Sequence, residues 1–110
     1  NLARAAIEGM LGGLAAGVAA IQGFGIEARR VLLIGGAAAN PAVQTIAGQV
    51  FDVPVEVPSP GEYVADGAAR QAAWVLTGQR PDWPVELVAR PASDPHSEIL
   101  DAYRAAAASY

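Results

Sequence analysis

Apolar residues in the first part of the chain recur at helical spacing. Ile7, Leu11, Leu14, Val18 and Ile21 alternate steps of four and three, which predicts a helix from Leu2 to about Phe24 with one apolar face. Gly9, Gly13 and Gly17 recur every four residues beside that stripe. Each glycine costs a helix roughly 1 kcal/mol against alanine. Such a series implies that other backbone comes close and that the helix is buried on two sides. Gly23 and Gly25 end it. After Arg29-Arg30, the continuous apolar run Val31–Ile34 suits an interior strand of a parallel sheet. It stops at Gly35-Gly36. Asn40-Pro41 is a helix N-cap followed by a favoured first residue. The helix that follows, Pro41 to Phe51, places Val43, Ile46, Ala47, Val50 and Phe51 on one face. Val53, Val55 and Val57 then alternate with Pro54 and Glu56, a half-exposed strand that Pro54 pushes toward the sheet edge. Strand, helix and strand make a βαβ unit with a right-handed crossover.

Pro58-Ser59-Pro60-Gly61 reads as a turn. A third helix runs from about Glu62 or Tyr63 to Thr77, rich in small residues, with Gly78 as its stop. Trp74 is expected in the core and Trp83 partly exposed. Gln79 to Ser93 is proline-rich and reads as irregular. Asp94-Pro95 repeats the cap-and-proline signal and opens a last helix to about Ser109. The expected fold is a single α/β domain, helix–strand–helix–strand–helix–helix.

Composition narrows the function classes. The 110 residues contain no cysteine, which excludes disulfides, thiolate metal sites and a cysteine nucleophile. The net charge of -4 provides no electrostatic footprint for nucleic acid. Hydrophobic residues at 53% against 16% charged ones describe a packed chain, not a disordered one. Alanine, about a quarter of the chain, favours helix. The uncharged stretch Gly9–Ile26 has the length of a membrane span. It is mostly glycine and alanine and contains Gln22, so a buried helix is the better reading, in a soluble, cytoplasmic protein. His96 stands alone and is expected in solvent. Glu8 is expected to pair with Arg4 one helical turn away.

One segment carries candidate chemistry. Gly35-Gly36-Ala37-Ala38-Ala39-Asn40 joins a strand to a helix, and ligands of open α/β sheets bind at the carboxyl ends of strands. Glycines there let backbone approach a ligand, and the next helix offers free N–H groups. The segment is neither a Walker A loop nor G-x-G-x-x-G. From spacing alone the better reading is a tight strand-to-helix turn with a capping asparagine.

Three stretches together resemble the C-terminal domain of the FGGY family of carbohydrate kinases, which has the actin-like, ribonuclease H-like ATPase fold. Asn1–Gly9, NLARAAIEG, is similar to the tail of that family's C-terminal signature. Val31–Asn40 is similar to its adenosine motif, a strand followed by Gly-Gly-Ala-x-x-Asn. Glu62–Ala73, EYVADGAARQAA, is similar to its Gly-Ala-Ala helix, in a form nearest the xylulokinase branch. The resemblance covers nearly the whole chain, in family order and spacing. Pro81–Pro84 and the loop to Ser93 match nothing.

The resemblance implies an ATP-dependent sugar kinase in which Gly35, Gly36 and Ala37 lie against the nucleotide and Asn40 turns its amide toward adenine. It implies ATP and Mg2+ as cofactors and a small sugar as substrate, with a homodimer left open. The family's proton-accepting aspartate, its sugar-binding residues and its phosphate loop lie upstream of these motifs. The chain is therefore expected to be part of the C-terminal domain and inactive alone. D-xylulose is the expected sugar, with ribulose, glycerol and gluconate as alternatives. A non-catalytic α/β module that binds a partner through exposed apolar surface is the other class of reading.

Overall fold

The computed structural model describes residues 1–110. Helix α1 spans Leu2–Gln22, and the Oδ1 of Asn1 caps it by accepting from the N–H groups of Ala3 and Arg4 at 2.9 and 3.3 Å. The expected Arg4–Glu8 pair forms at 2.7 Å, and Arg4 also donates to Gln49 of the second helix at 2.7 Å. Strand β1 is Val31–Leu32 and helix α2 is Pro41–Val50. Strand β2, Val55–Pro58, pairs parallel with β1 in the register Val31–Val55 and Leu32–Glu56. Helix α3 is Tyr63–Thr77 and ends at Gly78, whose φ of 72° is the left-handed stop expected there. Helix α4 is Ser97–Ala107.

The core joins one face of α1 to α2 and the sheet. Leu11 and Ala15 meet Val43, Ile46, Ala47, Val50 and Phe51, and Leu33, Val55 and Val57 close it from the strands. Ile99 and Leu100 of α4 pack against it. By length and composition α1 could cross a membrane; in this fold Leu11, Gly12 and Ala15 are buried against the rest of the chain and most of its other residues are exposed.

Several expectations change. The α1 stripe holds only in part: Leu11 is buried and Ile7 and Val18 pack against the core as expected, whereas Leu14 and Ile21 are more than half exposed and Ala15 is buried instead. Nor is α1 buried on two sides, because Gly9 and Gly17 face open space. The close approach occurs at Gly12, where a Cβ would sit 2.8 Å from the Tyr103 ring of α4. The order of strands also differs. A third strand, β3 (Leu87–Ala89), forms inside the segment expected to be irregular and pairs antiparallel with β2, Val57 opposite Ala89. The order is therefore β1-β2-β3, with β2 central and β1 at the edge. Pro54 does not bar this, because it precedes the ladder and contributes only its carbonyl, which accepts from Val31 at 2.9 Å. Pro58, which has no N–H to donate, falls where the register shifts.

The last helix starts two residues later than the Asp94-Pro95 signal suggests. The N–H groups of Asp94 and His96 donate to the carbonyls of Gly48 and Gln49, at 3.0 and 2.7 Å. These bonds hold the segment extended along the end of α2, so no helix can begin there. Helix α3 has no buried residue, and Trp74 is 45% exposed rather than part of the core. Trp83 is part-exposed, as expected.

Candidate functional site

The turn after β1 is built by its backbone. Gly35 has φ 101° and ψ 172°, a conformation open essentially to glycine alone. It turns the chain out of the strand into a single 3-10 turn, Gly36–Ala39. The Ala38 N–H donates to the Gly35 carbonyl and the Asn40 N–H to that of Ala37, both at 3.1 Å. Gln44 reaches back from α2 and donates to the Ala38 carbonyl at 2.7 Å, while the Ala38 side chain is buried beneath. Asn40 then caps α2, its Oδ1 accepting from the Ala42 N–H at 2.8 Å, with Pro41 in the first turn.

The upper side of this turn is open. A Cβ at Gly35 or Gly36 would meet no atom within 4 Å. Gly35, Gly36 and Ala37 spend none of their N–H groups on a backbone carbonyl. Successive free amides at the end of a parallel strand can accept an anion. Gly35 and Gly36 line a cleft of about 770 Å3, closed opposite by Tyr63, the Ser59–Glu62 loop and Val88 of β3. The Tyr63 hydroxyl donates to the Ser59 carbonyl, which pins that loop. Glu62 is the one charged residue on the wall.

Of the four residues singled out in the sequence, Gly35 and Gly36 line the cleft, whereas Ala37 and Asn40 lie just outside its lining. Asn40 commits its oxygen to the cap and keeps its amide N–H2 free of any partner in the chain. Sequence reasoning missed three contributors to this site. Tyr63 belongs to the third motif, and its aromatic ring at a helix start was an available signal. Gln44 is a polar residue on an otherwise apolar helix face. Val88 had no signal, since its strand was not legible. Chemically the cleft can bind and orient a ligand through main-chain donors, and it offers no nucleophile paired with a base.

The one titratable cluster with shifted groups lies elsewhere, at the start of α4. His96 is bonded to Asp94 at 3.0 Å and to Glu98 at 2.9 Å, one carboxylate on each ring nitrogen, and its pKa is raised above 6.5. Glu98 is lowered, first by its own backbone N–H at the helix start and then by His96. His96 is thus held between carboxylates and not simply solvated.

Comparison with known proteins agrees with this strand–turn–helix arrangement. The model of the FGGY family of carbohydrate kinases, C-terminal domain, matches residues 1–76, which run from α1 through the glycine turn into α3. No match was found among curated protein sequences. Among solved structures, the xylulose kinase from Bifidobacterium adolescentis superimposes with a TM-score of 0.78 and 39% identity, over 97% of this chain and 22% of that one. The chain thus spans about a fifth of that kinase's length. By the family match over most of its length, this chain belongs to the FGGY family of carbohydrate kinases.

Proposed function

We propose that the chain forms the adenosine side of the active site of an ATP-dependent sugar kinase, a xylulokinase that converts ATP and D-xylulose to ADP and D-xylulose 5-phosphate. The reading rests on one observation above the others: the Gly35-Gly36 turn stands at the carboxyl end of a parallel strand, open and with free amides, on a cleft of about 770 Å3. In this reading the backbone of Gly35, Gly36 and Ala37 lies along the nucleotide, and no side chain competes for that space. The free Asn40 amide donates toward the adenine ring while the oxygen of the same side chain keeps the cap. Both roles coexist because they use different atoms. ATP supplies the phosphoryl group, and Mg2+ neutralises its charge.

The chain's own residues bind and position. The proton-accepting aspartate, the magnesium ligands and the sugar contacts belong to other parts of the kinase, so the chain alone is not expected to phosphorylate a sugar. The exposed apolar residues of α1 and α3, Leu14, Ile21, Val75 and Leu76 among them, support a larger molecule that covers them. The same reading makes the protein cytoplasmic, with no nucleic-acid or membrane partner.

Two experiments test it. Titrating the labelled chain with ADP should shift the amide resonances of Gly35, Gly36, Ala37 and Asn40, and the Gly36→Trp variant should abolish the shifts. In a chimera that carries this chain in place of the matching part of the Bifidobacterium kinase, Gly36→Trp should raise the KM for ATP and leave that for sugar unchanged. An unchanged KM for ATP removes the turn from the site. A panel of D-xylulose, D-ribulose, glycerol and gluconate separates the sugars.

A further inference from the structure

The largest cavity lies away from the glycine turn. It measures about 870 Å3 and runs between α3 and the segment 80–85. It shares no lining residue with the cleft at Gly35. Trp74 and Trp83 stand in its wall with Arg30, Arg70 and Arg80 around them. The chain has 2 tryptophans and 7 basic residues in all, at a net charge of -4. This one groove therefore gathers both indoles and three of the cations, against a single acid, Asp82.

The three arginines are not equivalent. Arg70 is structural: it donates to Asp66 at 2.6 Å and to the Trp83 carbonyl at 2.8 Å, and its guanidinium lies 5.3 Å from the Trp83 ring. It clasps the 80–85 segment onto α3. Arg30 donates to Glu56 at 2.6 Å through one nitrogen and keeps its other N–H groups. Arg80 has no carboxylate partner and sits 6.0 Å over the Trp74 ring. Holding the segment down needs one indole and one arginine, and Trp83 with Arg70 supply them. Trp74 and Arg80 are left over, with the ring half open and a full fork of donors unspent.

We propose that this groove binds a small organic anion bearing a flat aromatic ring. The ring stacks against the half-open Trp74 indole, where offset contact between π systems is favourable, and Trp83, held by Arg70, walls the groove beside it. Its carboxylate or phosphate lies on the Arg80 fork, whose planar donors match either group, and the spare N–H groups of Arg30 add to the field.

Both tryptophans belong to the groove, so fluorescence excited selectively at tryptophan, and not at the three tyrosines, reports on it. The 110-residue chain is titrated with benzoate and with phenyl phosphate, using inorganic phosphate and benzyl alcohol as the charge-only and ring-only controls. Saturable quenching by at least one of the two aromatic anions is expected, with both controls at least about tenfold weaker. Arg80 is exposed, and Arg80→Gln should weaken binding about tenfold with the circular dichroism unchanged. No saturation by either anion, a control that binds as well as they do, or an Arg80→Gln variant that binds equally overturns the proposal. Should that variant lose its helical signal, the salt dependence of the unaltered chain decides. Affinity should fall several-fold from about 0.02 M to about 0.2 M salt, and a constant affinity refutes the ion pair.

Discussion

Gly35 and Gly36 are neighbours in one turn, yet replacing each by alanine should have opposite consequences. Gly35 holds φ 101° and ψ 172°, and a Cβ there meets no atom within 4 Å. The whole penalty of Gly35→Ala is therefore backbone strain, about 1–3 kcal/mol, or up to a hundredfold in the folding equilibrium. Gly36 lies in the 3-10 turn with ordinary φ, and a methyl group there also enters open space. Gly36→Ala restricts the unfolded chain without straining the folded one, so it should be neutral or stabilising by about 0.4–1 kcal/mol. Urea unfolding followed by circular dichroism measures both, with equal slopes confirming that the denatured states are comparable. Equal losses at the two positions, or a larger loss at Gly36, would refute the backbone account of this turn. The functional corollary is that Gly36 can be enlarged to block the cleft without unfolding the chain, which makes it the informative position for nucleotide binding.

Other outcomes follow from the same coordinates. Asn40→Ala removes the α2 cap and should cost about 1 kcal/mol, whereas Asn40→Ser keeps a capping oxygen without the amide or a new charge, so nucleotide affinity lost in the Ser variant at unchanged melting temperature reports the amide's role. Gly48→Ala places a Cβ 2.2 Å from the Ala92 carbonyl oxygen, and the forced backbone shift should destabilise by about 1–3 kcal/mol or more; a neutral variant in thermal melts would show that the 91–94 segment is not packed on α2. His96, with a carboxylate on each ring nitrogen, should titrate above 6.5 by NMR and move down in Asp94→Asn. Because its folded value is the higher one, the stabilisation is complete below pH 6.5 and fades as pH rises through the folded pKa, and a ring titrating at or below 6.5 would refute the contacts.

Much of this fold was legible because it is local. The Asn40-Pro41 start, the Gly78 stop, the Arg4–Glu8 pair and the strand–helix–strand order each depend on residues within a few positions of one another, and all appear in the structure. The strand-to-helix turn was legible for the same reason, since a glycine pair and Asn40-Pro41 mark it locally; its candidate ligand role came from the resemblance and not from spacing. Contacts between distant segments left no such trace. Strand β3 is three residues long, sits among prolines, and forms because β2 presents a free edge about 30 residues earlier. The most crowded helix glycine is Gly12, with Gly13 beside it, while Gly9 and Gly17 of the regular series face open space, because Tyr103 from the other end of the chain decides which face is crowded. The start of α4 was likewise shifted by bonds to Gly48 and Gln49, which outweigh the Asp94-Pro95 cap preference. Residue chemistry and spacing thus dictate the four helices, the parallel strand pair and where glycine leaves the backbone bare. Which faces are buried, which strand lies in the middle and which indoles stay open depend on long-range packing, since burial is a property of neighbours that a short window of sequence does not contain.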